Sequence, residues 1–460
     1  MAYGKVRRGA AAVACGLAAT LVLAACGGDD EPSDADGGEA GGGGGGGSSA
    51  DCAFAESYGD LDGTQISVYS TIVAPEDEPL EASFDLFEEC TGATVVYEGS
   101  DEFEAQLPVR VQGGTAPDIA IIPQPGLLAT LVNDFDAVIE VPEDTQANVE
   151  ASWDPSWVGY GSVNDTYYGT PWGANVKSFV WYSPTAFAEA GYEVPETWDD
   201  LIALSDQIVA DGGKPWCAGV GSGDATGWPA TDWIEDVVLR TAGPEVYDQW
   251  IAHEIPFNDP QIVEAMDTVA EVFLNEDYMN GGLGDVSSIA TTRFEDGGLP
   301  IAQDQCWMHR QASFYAANWP EGTDVSPDGE IFAFYFPPIN PEHGSPVLGG
   351  GEFVAAFDER PEVQALQNYM SSDIGQSERA EAGGAFVSAN RNVPLELFDD
   401  PVDTLSAEIF QDEDAVFRFD ASDLMPAEVG TVAFWNGMVD WITGTDTQAV
   451  ADGIEDAWPQ

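Results

Sequence analysis

The sequence predicts an α/β protein built on a mostly parallel sheet, and the prediction comes from the order of its first elements. Short runs with strand character alternate with stretches of helical periodicity between residues 66 and 122. In chain order these segments are 66–69, 78–89, 94–97, 102–111 and 118–122. Strands joined by helical crossovers pair in parallel with right-handed connections. Ligands bind beyond the carboxyl ends of such strands, which is where Ser100-Asp101 and Gln124-Pro125-Gly126 fall.

Each of these elements has its own local signal. Strand 66–69 alternates apolar and polar residues, and strand 118–122 is an apolar run that ends at Pro123. Helix 102–111 stops at Gly113-Gly114. The stripe that predicts the helix at 78–89 consists of Leu80, Phe84 and Phe87.

The rest of the body is less regular but continues the mixture of helices and strands. Thr197 can cap a helix, with Asp200 three residues on, and Gly212 ends that helix. The other predicted elements are an extended aromatic segment at 168–182, helices at 260–274 and 361–371, and strand-like runs at 331–336 and 347–357.

The first fifty residues predict export and a lipid anchor. A basic stretch with Lys5, Arg7 and Arg8 precedes an apolar run that is short for a membrane span. The run ends in Leu-Ala-Ala-Cys at residues 23–26, which resembles a bacterial lipobox with Cys26 as the lipidated mature N-terminus. We therefore predict a lipoprotein signal peptide at 1–25 and a flexible glycine-rich and acidic tether at 26–50. The alternative is an ordinary secretory signal with an incidental cysteine.

The charge of the chain restricts its partners. The formal net charge is -69, from 13 basic and 82 acidic residues. Such a surface repels nucleic acid and anionic lipid, so contact with a membrane requires the lipid anchor. The acidity fits either ordinary solubility or adaptation to a saline medium.

Several motifs in fixed order resemble a known family. They include GTAPDI at 114–119, GTPWGANVK at 169–177 and TGWPATDW at 226–233. Further matches lie at 180–182, 190–192, 195–201 and 349–352. From about residue 60 onward the chain resembles the extracellular solute-binding proteins of carbohydrate ABC transporters, of the maltose-binding type, and in particular the α-glucoside-binding members. Those proteins often have Asp where this chain has Glu352 and Phe-Lys where it has Trp172-Gly173, which bears on ligand identity.

The resemblance implies a periplasmic-binding-protein-like fold: two α/β lobes, a hinge, and a ligand cleft between the lobes. The chain would cross between lobes near 172–176, near Phe336 and near Ser372. Lobe 1 would comprise residues 51–172 and 336–372, and lobe 2 residues 173–335 and 373–460. The lobes would close around the solute by hinge motion.

Four cysteines remain beyond Cys15 and Cys26, and in an exported protein they predict two disulfides. Three connectivities exist; we favour Cys52–Cys90 and Cys217–Cys306, because each pair then lies within one lobe. A metal site is the alternative, but no close cysteine pair exists and only three histidines are present, so we expect no metal.

A sugar offers apolar C–H faces and a ring of hydroxyl groups, which suit aromatic rings and paired hydrogen-bonding groups. Ten candidate ligand contacts follow: Asp101, Gln124, Trp172, Asn175, Lys177, Trp228, Asp232, Trp233, Arg310 and Glu352. Each has a structural alternative. The tryptophans could belong to the core, Asp101, Gln124 and Asp232 could cap or face solvent, and Lys177 and Arg310 could form ion pairs.

The function that follows is substrate capture for an ABC importer, with a sugar as ligand and permease subunits as partners. We expect a monomer without cofactor, on the outer face of the bacterial cell membrane. The alternatives are a binding protein for another small polar solute, one that reports to a sensor, and a secreted glycosidase. The sequence has no Gly-x-Ser-x-Gly elbow, zincin motif or phosphate-binding loop, so we predict that it is not an enzyme.

Overall fold

The computed structural model describes residues 52–282, 284–398, 400–412 and 415–459. The predicted signal peptide at 1–25 and the whole predicted tether at 26–50, including Cys26, therefore lie outside the described residues. The described part belongs to one compact unit, residues 46–460. Its longest helices have 14 residues, and none of the described helices has the length and apolar character needed to cross a membrane.

Thirteen strands are described: β1 Gln65–Ser70, β2 Thr94–Gly99, β3 Ile119–Ile122, β4 Ser162–Val163, β5 Thr166–Tyr167, β6 Gly169–Val176, β7 Phe179–Tyr182, β8 Trp216–Cys217, β9 Met279–Asn280, β10 Met308–Arg310, β11 Phe332–Tyr335, β12 Val347–Ala356 and β13 Phe417–Phe419.

The described α-helices are α1 Asp77–Ala82, α2 Asp85–Thr91, α3 Phe103–Gln112, α4 Pro125–Phe135, α5 Glu143–Ser152, α6 Pro155–Tyr160, α7 Pro184–Ala190, α8 Trp198–Ala210, α9 Trp228–Thr241, α10 Pro244–Ile251, α11 Pro260–Phe273, α12 Pro361–Ser371, α13 Asp373–Ala382, α14 Pro401–Gln411, α15 Ala421–Leu424, α16 Trp435–Ile442 and α17 Thr447–Glu455. Short 3-10 segments lie at Ala53–Tyr58, Val286–Thr291, Leu299–Gln303, Ser313–Asn318 and Leu395–Leu397, and a π-helical segment at Glu428–Phe434.

The first sheet has the strand order β13-β12-β3-β1-β2, with β6 also paired to β12. Strand β1 runs parallel to both β2 and β3, which confirms the parallel arrangement predicted from the alternating elements. Strand β12 returns antiparallel to β3 and β6. The carboxyl ends of β1, β2 and β3 therefore share one edge, as the prediction of a ligand site requires.

The second sheet has the order β11-β7-β10-β8-β9. Strand β7 is antiparallel to β10 and β11, whereas β8 is parallel to β9 and β10. The largest apolar core surrounds this sheet and packs helices α8, α9 and α11 against it. Helix α9 is the central one, since all its residues from Pro229 to Arg240 are buried.

The two sheets show where the chain passes from one half to the other. It leaves the first sheet after Val176, at the end of β6, and enters the second at Phe179. It returns between Tyr335 and Val347, close to the expected residue 336. Two elements that follow Ser372 still belong to the first half. Strand β13 pairs with β12, and α13 packs against α1 and α12. We therefore propose that the third crossing follows Phe419 rather than Ser372.

Both favoured disulfides are present. Cys52 bonds to Cys90, with a Cα–Cα distance of 5.3 Å, and ties the first 3-10 segment to α2. Cys217 in β8 bonds to Cys306, with a Cα–Cα distance of 5.8 Å, and ties β8 to the residues before β10. Each bridge thus braces one half of the fold.

Candidate functional site

A cavity of about 200 Å³ lies between the two sheets. On one side it is lined by the residues that directly follow the first three strands: 71–76 after β1, 100–101 after β2 and 123–124 after β3. On the other side it is lined by the start of α9, the loop at 294–295 and the segment at 422–423. The site thus lies at the carboxyl edge of the parallel strands, as expected for a sheet of this kind.

Six of the ten predicted ligand residues line this cavity. Two lie beyond strand ends of the first sheet, two on or just after β6, one at the start of α9, and one in β12. They are Asp101, Gln124, Asn175, Lys177, Trp228 and Glu352.

Several polar atoms on the cavity wall have no hydrogen-bond partner in the structure. Gln124 Oε1, Asn175 Oδ1 and Trp435 Nε1 are of this kind, and their residues are all more than nine-tenths buried. A buried polar atom without a partner costs free energy, and native proteins rarely leave one unpaired. These atoms therefore point to a ligand that offers both donors and acceptors.

Aromatic rings supply the apolar part of the wall. Trp228 lies edge to face with Phe294, with ring centroids 5.2 Å apart, and 6.0 Å from the ring of Phe314. Gly227, with φ 119°, allows α9 to begin against the backbone of Trp435, because a β-carbon at residue 227 would clash with the Trp435 carbonyl oxygen. The rings offer flat apolar surfaces of the kind that sugar C–H faces need.

A buried ionic cluster lies behind the polar wall. Lys177 Nζ donates to Asp232 Oδ1 at 3.1 Å and also to Asp420 Oδ2. Burial alone would lower the pKa of Lys177, but the two carboxylates outweigh it and raise the pKa well above its usual range. Burial would raise the pKa of Asp420, but Lys177 outweighs it and lowers that pKa to about 2. The pair stays ionised and fixes the crossing segment to the start of α15.

Four predicted ligand residues do not line the cavity, and for two of them the reason is geometric. Trp172 is 1 % exposed and packs on Phe386. Its neighbour Gly173 faces Glu352, and because consecutive residues of a strand face opposite sides, Trp172 faces away from Glu352. Trp233 is 2 % exposed and lies between Trp216 and Phe336. It lies five residues after Trp228, or about 140° around α9, so it faces the core.

The other two, Asp232 and Arg310, belong to the ionic cluster. Arg310 Nη2 lies 2.8 Å from Asp236 Oδ2, and Arg310 Nη1 lies 3.7 Å from Asp232 Oδ2. Both residues are fully or almost fully buried. Arg310 thus forms the kind of ion pair that we considered as the alternative to ligand contact.

The cavity also contains carboxyl groups that sequence reasoning missed, namely those of Glu76, Glu104, Glu295 and Asp423. Burial raises the pKa of Glu76 to about 8, and burial raises that of Glu352 to about 7. Gln124 Nε2 donates to Glu104 Oε1 at 3.0 Å. Glu76 lies just beyond β1, so the rule that placed Asp101 at a strand end would also have found it.

The aromatic residues Phe294, Phe314 and Trp435 were missed as well. They come from loops and a helix start without a local motif, and only the tertiary fold brings them to Trp228. Sequence spacing carries no signal for them.

The described residues include one acidic cluster with metal-ligand spacing, formed by Asp232, Glu235 and Asp420, whose carboxylate oxygens lie within 4.8 Å of one another. Lys177 donates to two of the three, and Glu235 accepts hydrogen bonds from the backbone of Ala421 and Ser422. Asp232 Oδ2 has no hydrogen-bond partner, and Arg310 Nη1 lies 3.7 Å from it.

Comparison with known proteins agrees with this architecture. Residues 72–376 match the family model described as bacterial extracellular solute-binding protein. The chain is 42% identical over 404 residues to the osmoprotective compounds-binding protein GgtB of Synechocystis sp., covering 87% of this chain and 94% of that protein. It is 36% identical over 412 residues to the alpha-glucosides-binding periplasmic protein AglE of Rhizobium meliloti, covering 87% and 88%.

Solved structures show the same fold. The bacterial solute receptor AcbH, described as preferring b-D-galactopyranose, matches with a TM-score of 0.74 at 18% identity, covering 85% of this chain and 98% of that one. RafE in complex with raffinose matches with a TM-score of 0.67 at 19% identity, again covering 85% and 98%. At this identity the likeness shows the fold alone, which is the predicted pair of α/β lobes around a cleft.

Proposed function

The chain belongs to the bacterial extracellular solute-binding proteins, and from this premise we propose that it is the sugar-binding component of an ABC importer. The observation that carries the proposal is a set of unpartnered buried polar atoms in an aromatic-lined cavity: Gln124 Oε1, Asn175 Oδ1 and Trp435 Nε1. A sugar hydroxyl both donates and accepts, so a ring of hydroxyl groups can satisfy all three.

The ligand we propose is a small α-glucoside. One relative is named for α-glucosides and another for osmoprotective compounds. A disaccharide such as trehalose or sucrose is an α-glucoside of small size, and a cavity of about 200 Å³ favours it over a long oligosaccharide. Trp228 would stack on one sugar face, while Glu352 and Asp101 would accept from hydroxyl groups.

The proposed mechanism is capture by lobe closure. The lining residues come from both sheets, so a bound sugar would join the two halves. A ligand with greater affinity for the closed form shifts the population toward it. The closed monomer would then dock on the permease subunits. We propose no catalytic role, since the family consists of binding proteins.

The proposal is tested by a thermal-shift and calorimetric screen of the lipid-free domain from residue 51. Trehalose, sucrose and maltose are compared with amino acids and polyamines. At a ligand concentration of about 1,000 Kd, a ligand that binds only the folded state adds about 4 kcal/mol to the free energy of unfolding. We expect stabilisation by at least one of the three sugars. A response to another solute class with none to any saccharide would overturn the sugar assignment.

Membrane attachment through Cys26 is also part of the proposal. Full-length protein expressed in a bacterial host should incorporate labelled fatty acid and sediment with membranes. Cys26→Ser should abolish both the labelling and the sedimentation. Sedimentation of the Cys26→Ser protein with membranes would contradict the lipid anchor without touching the sugar site.

A further inference from the structure

The ionisable side chains that line the cavity are almost all acidic. Six of its lining side chains carry a carboxyl group and one carries an amine, and none of the described lining residues is Arg or His. The acidic ones are Glu76, Asp101, Glu104, Glu295, Glu352 and Asp423, and the basic one is Lys177.

The single lysine is already neutralised. Lys177 Nζ is 3.1 Å from Asp232 Oδ1 and also paired with Asp420, and both of these carboxylates are buried. The amine is therefore shared by two buried carboxyl groups before any ligand arrives. It cannot offer a full positive charge to an anionic ligand without breaking a buried ion pair, which is strongly unfavourable.

Two guanidinium groups act on carboxyl groups of the wall from outside it. Arg379 is 2 % exposed and lies 4.5 Å from the ring of Phe386; its Nη1 donates to the Gly383 carbonyl oxygen, whereas its Nε has no hydrogen-bond partner. It does not line the cavity, although its charge acts on Glu76 and Glu352. Arg293 is well exposed and pairs with Glu295. Neither arginine is among the residues that line the cavity.

The unpartnered atoms of the wall include acceptors, which a ligand group that only accepts hydrogen bonds cannot satisfy. Gln124 Oε1 and Asn175 Oδ1 are acceptors, and ionised carboxyl groups only accept. The unpartnered donors are Trp435 Nε1 and Asn318 Nδ2. A hydroxyl or ammonium group can donate to the acceptors, whereas a ligand carboxylate or phosphate would place further acceptors against them.

This inference rests on the proposed function and concerns the class of sugar. We infer that the cavity binds uncharged and amine-bearing sugars and excludes sugars that carry a carboxylate or phosphate group. A carboxylate or phosphate would lose its hydration in the cavity without gaining a counter-charge, because the one amine of the wall is already paired and every other ionisable lining group is a carboxyl group. Burial also raises the pKa of Glu76 to about 8 and that of Glu352 to about 7, so the cavity disfavours negative charge even on its own side chains.

The test compares ligands that differ in charge but not in size. Calorimetry near neutral pH would use trehalose, 6-amino-6-deoxytrehalose, the trehalose 6-uronate and its uronamide, and the same four forms of glucose. The uronamide and the uronate have the same shape, so their difference reports charge. We expect the uronate to bind at least about tenfold more weakly than the uronamide, and the amine to bind at least as well as the uronamide.

Variants locate the effect in the cavity. At about pH 9, above the folded-state pKa of both groups, Glu352→Gln and Glu76→Gln should each reduce the uronamide-to-uronate affinity ratio by at least about threefold. Glu78→Gln removes the same charge from an exposed position outside the cavity wall and should leave the ratio unchanged. If one of the two cavity variants folds poorly, the other still tests the inference.

The outcomes separate this inference from the proposed function. A uronate that binds within about threefold of its uronamide would overturn the charge inference while leaving sugar binding intact. Failure of the uronamide alongside binding of the neutral parent would mean that shape excludes the uronate, and would also overturn it. If no neutral, amine-bearing or acidic sugar binds detectably, both the proposed function and this inference are overturned.

Discussion

Glu352 and Gly173 fit together as a pair, because the Oε2 atom of Glu352 occupies the space that a β-carbon at residue 173 would take. The two residues lie on the paired strands β6 and β12, and Glu352 lies at a register shift between Gly351 and Phe353. The bulge turns the Glu352 side chain toward the cavity, and Gly173 leaves it room.

Gly173→Ala should weaken sugar binding without unfolding the protein. The new β-carbon must displace the end of the flexible Glu352 side chain rather than backbone. A hydrogen bond to a charged group is worth about 1.5–3 kcal/mol, so we expect affinity to fall at least about tenfold. Calorimetry measures the affinity, and thermal unfolding should change little. Gly453→Ala, where a β-carbon meets open space, is the control. Unchanged affinity in Gly173→Ala would place Glu352 outside the binding contacts.

Local signals predicted the first half of the first sheet well. The strands at 66–69, 94–97 and 118–122 are β1, β2 and β3, with ends shifted by at most two residues. The segment predicted as one helix at 78–89 forms two helices, α1 and α2. The prediction missed the break at Ser83 because the spacing of apolar residues continues across it. Periodicity reports which face is buried, not whether every backbone hydrogen bond in the segment is helical.

Long-range pairing was harder to predict. We expected a crossing near Ser372, and our proposal to place it after Phe419 rests on β13, which begins about sixty residues after β12 ends and still pairs with it. No local pattern near residue 417 shows this partner. In the same way, the resemblance placed tryptophans near the cleft without deciding which face each would take. For Trp172 the alternation of side chains along a strand could have predicted the face, because Trp172 points away when Gly173 faces the cavity.

Trp228→Ala should mainly weaken sugar binding, whereas Trp172→Ala should mainly lower the stability of the fold. Trp228 lines the cavity, so its removal should weaken sugar binding by at least about 1 kcal/mol, with a smaller loss of stability. Trp172 is 1 % exposed in the core, so its removal should lower the free energy of unfolding by about 3–5 kcal/mol. Urea unfolding and calorimetry on both variants measure the contrast. Equal loss of affinity in the two would show that Trp228 acts through stability rather than contact.

The stability of the empty protein should depend on pH through Glu76. Burial raises the folded-state pKa of Glu76 from 4.5 to about 8, opposed by Arg379 and reinforced by Glu352. The folded state therefore holds this proton where the unfolded state releases it, so the contribution of Glu76 to stability is lost as pH rises through that window. Buried His309, whose pKa burial lowers to about 4, acts in the opposite sense at acidic pH.

The difference between wild type and Glu76→Gln isolates this effect. Thermal unfolding from mildly acidic to mildly alkaline pH should show wild type losing stability relative to Glu76→Gln as pH rises. Glu78→Gln, at an exposed position two residues further along the chain, should run parallel to wild type. Parallel curves for wild type and Glu76→Gln would mean that Glu76 titrates alike in the folded and unfolded chains.

Lys177→Met should destabilise the fold severely, because it leaves Asp232 and Asp420 buried without their shared cation. Removing one partner of a buried ion pair costs about 3–5 kcal/mol. Lys214→Met is the matched control, since Lys214 is not buried and its amine meets a backbone carbonyl, so we expect a change within about 0.5 kcal/mol. Urea unfolding measures both.

A double variant distinguishes charge from lost packing. Adding Asp420→Asn to Lys177→Met removes one of the stranded carboxylates, so part of the lost stability should return. If packing of the lysine stem were the cause, the second substitution would only add its own cost. Recovery in the double variant would establish that Lys177 holds the chain crossing after β6 to the segment before α15 through charge. Additive losses would assign its role to packing instead.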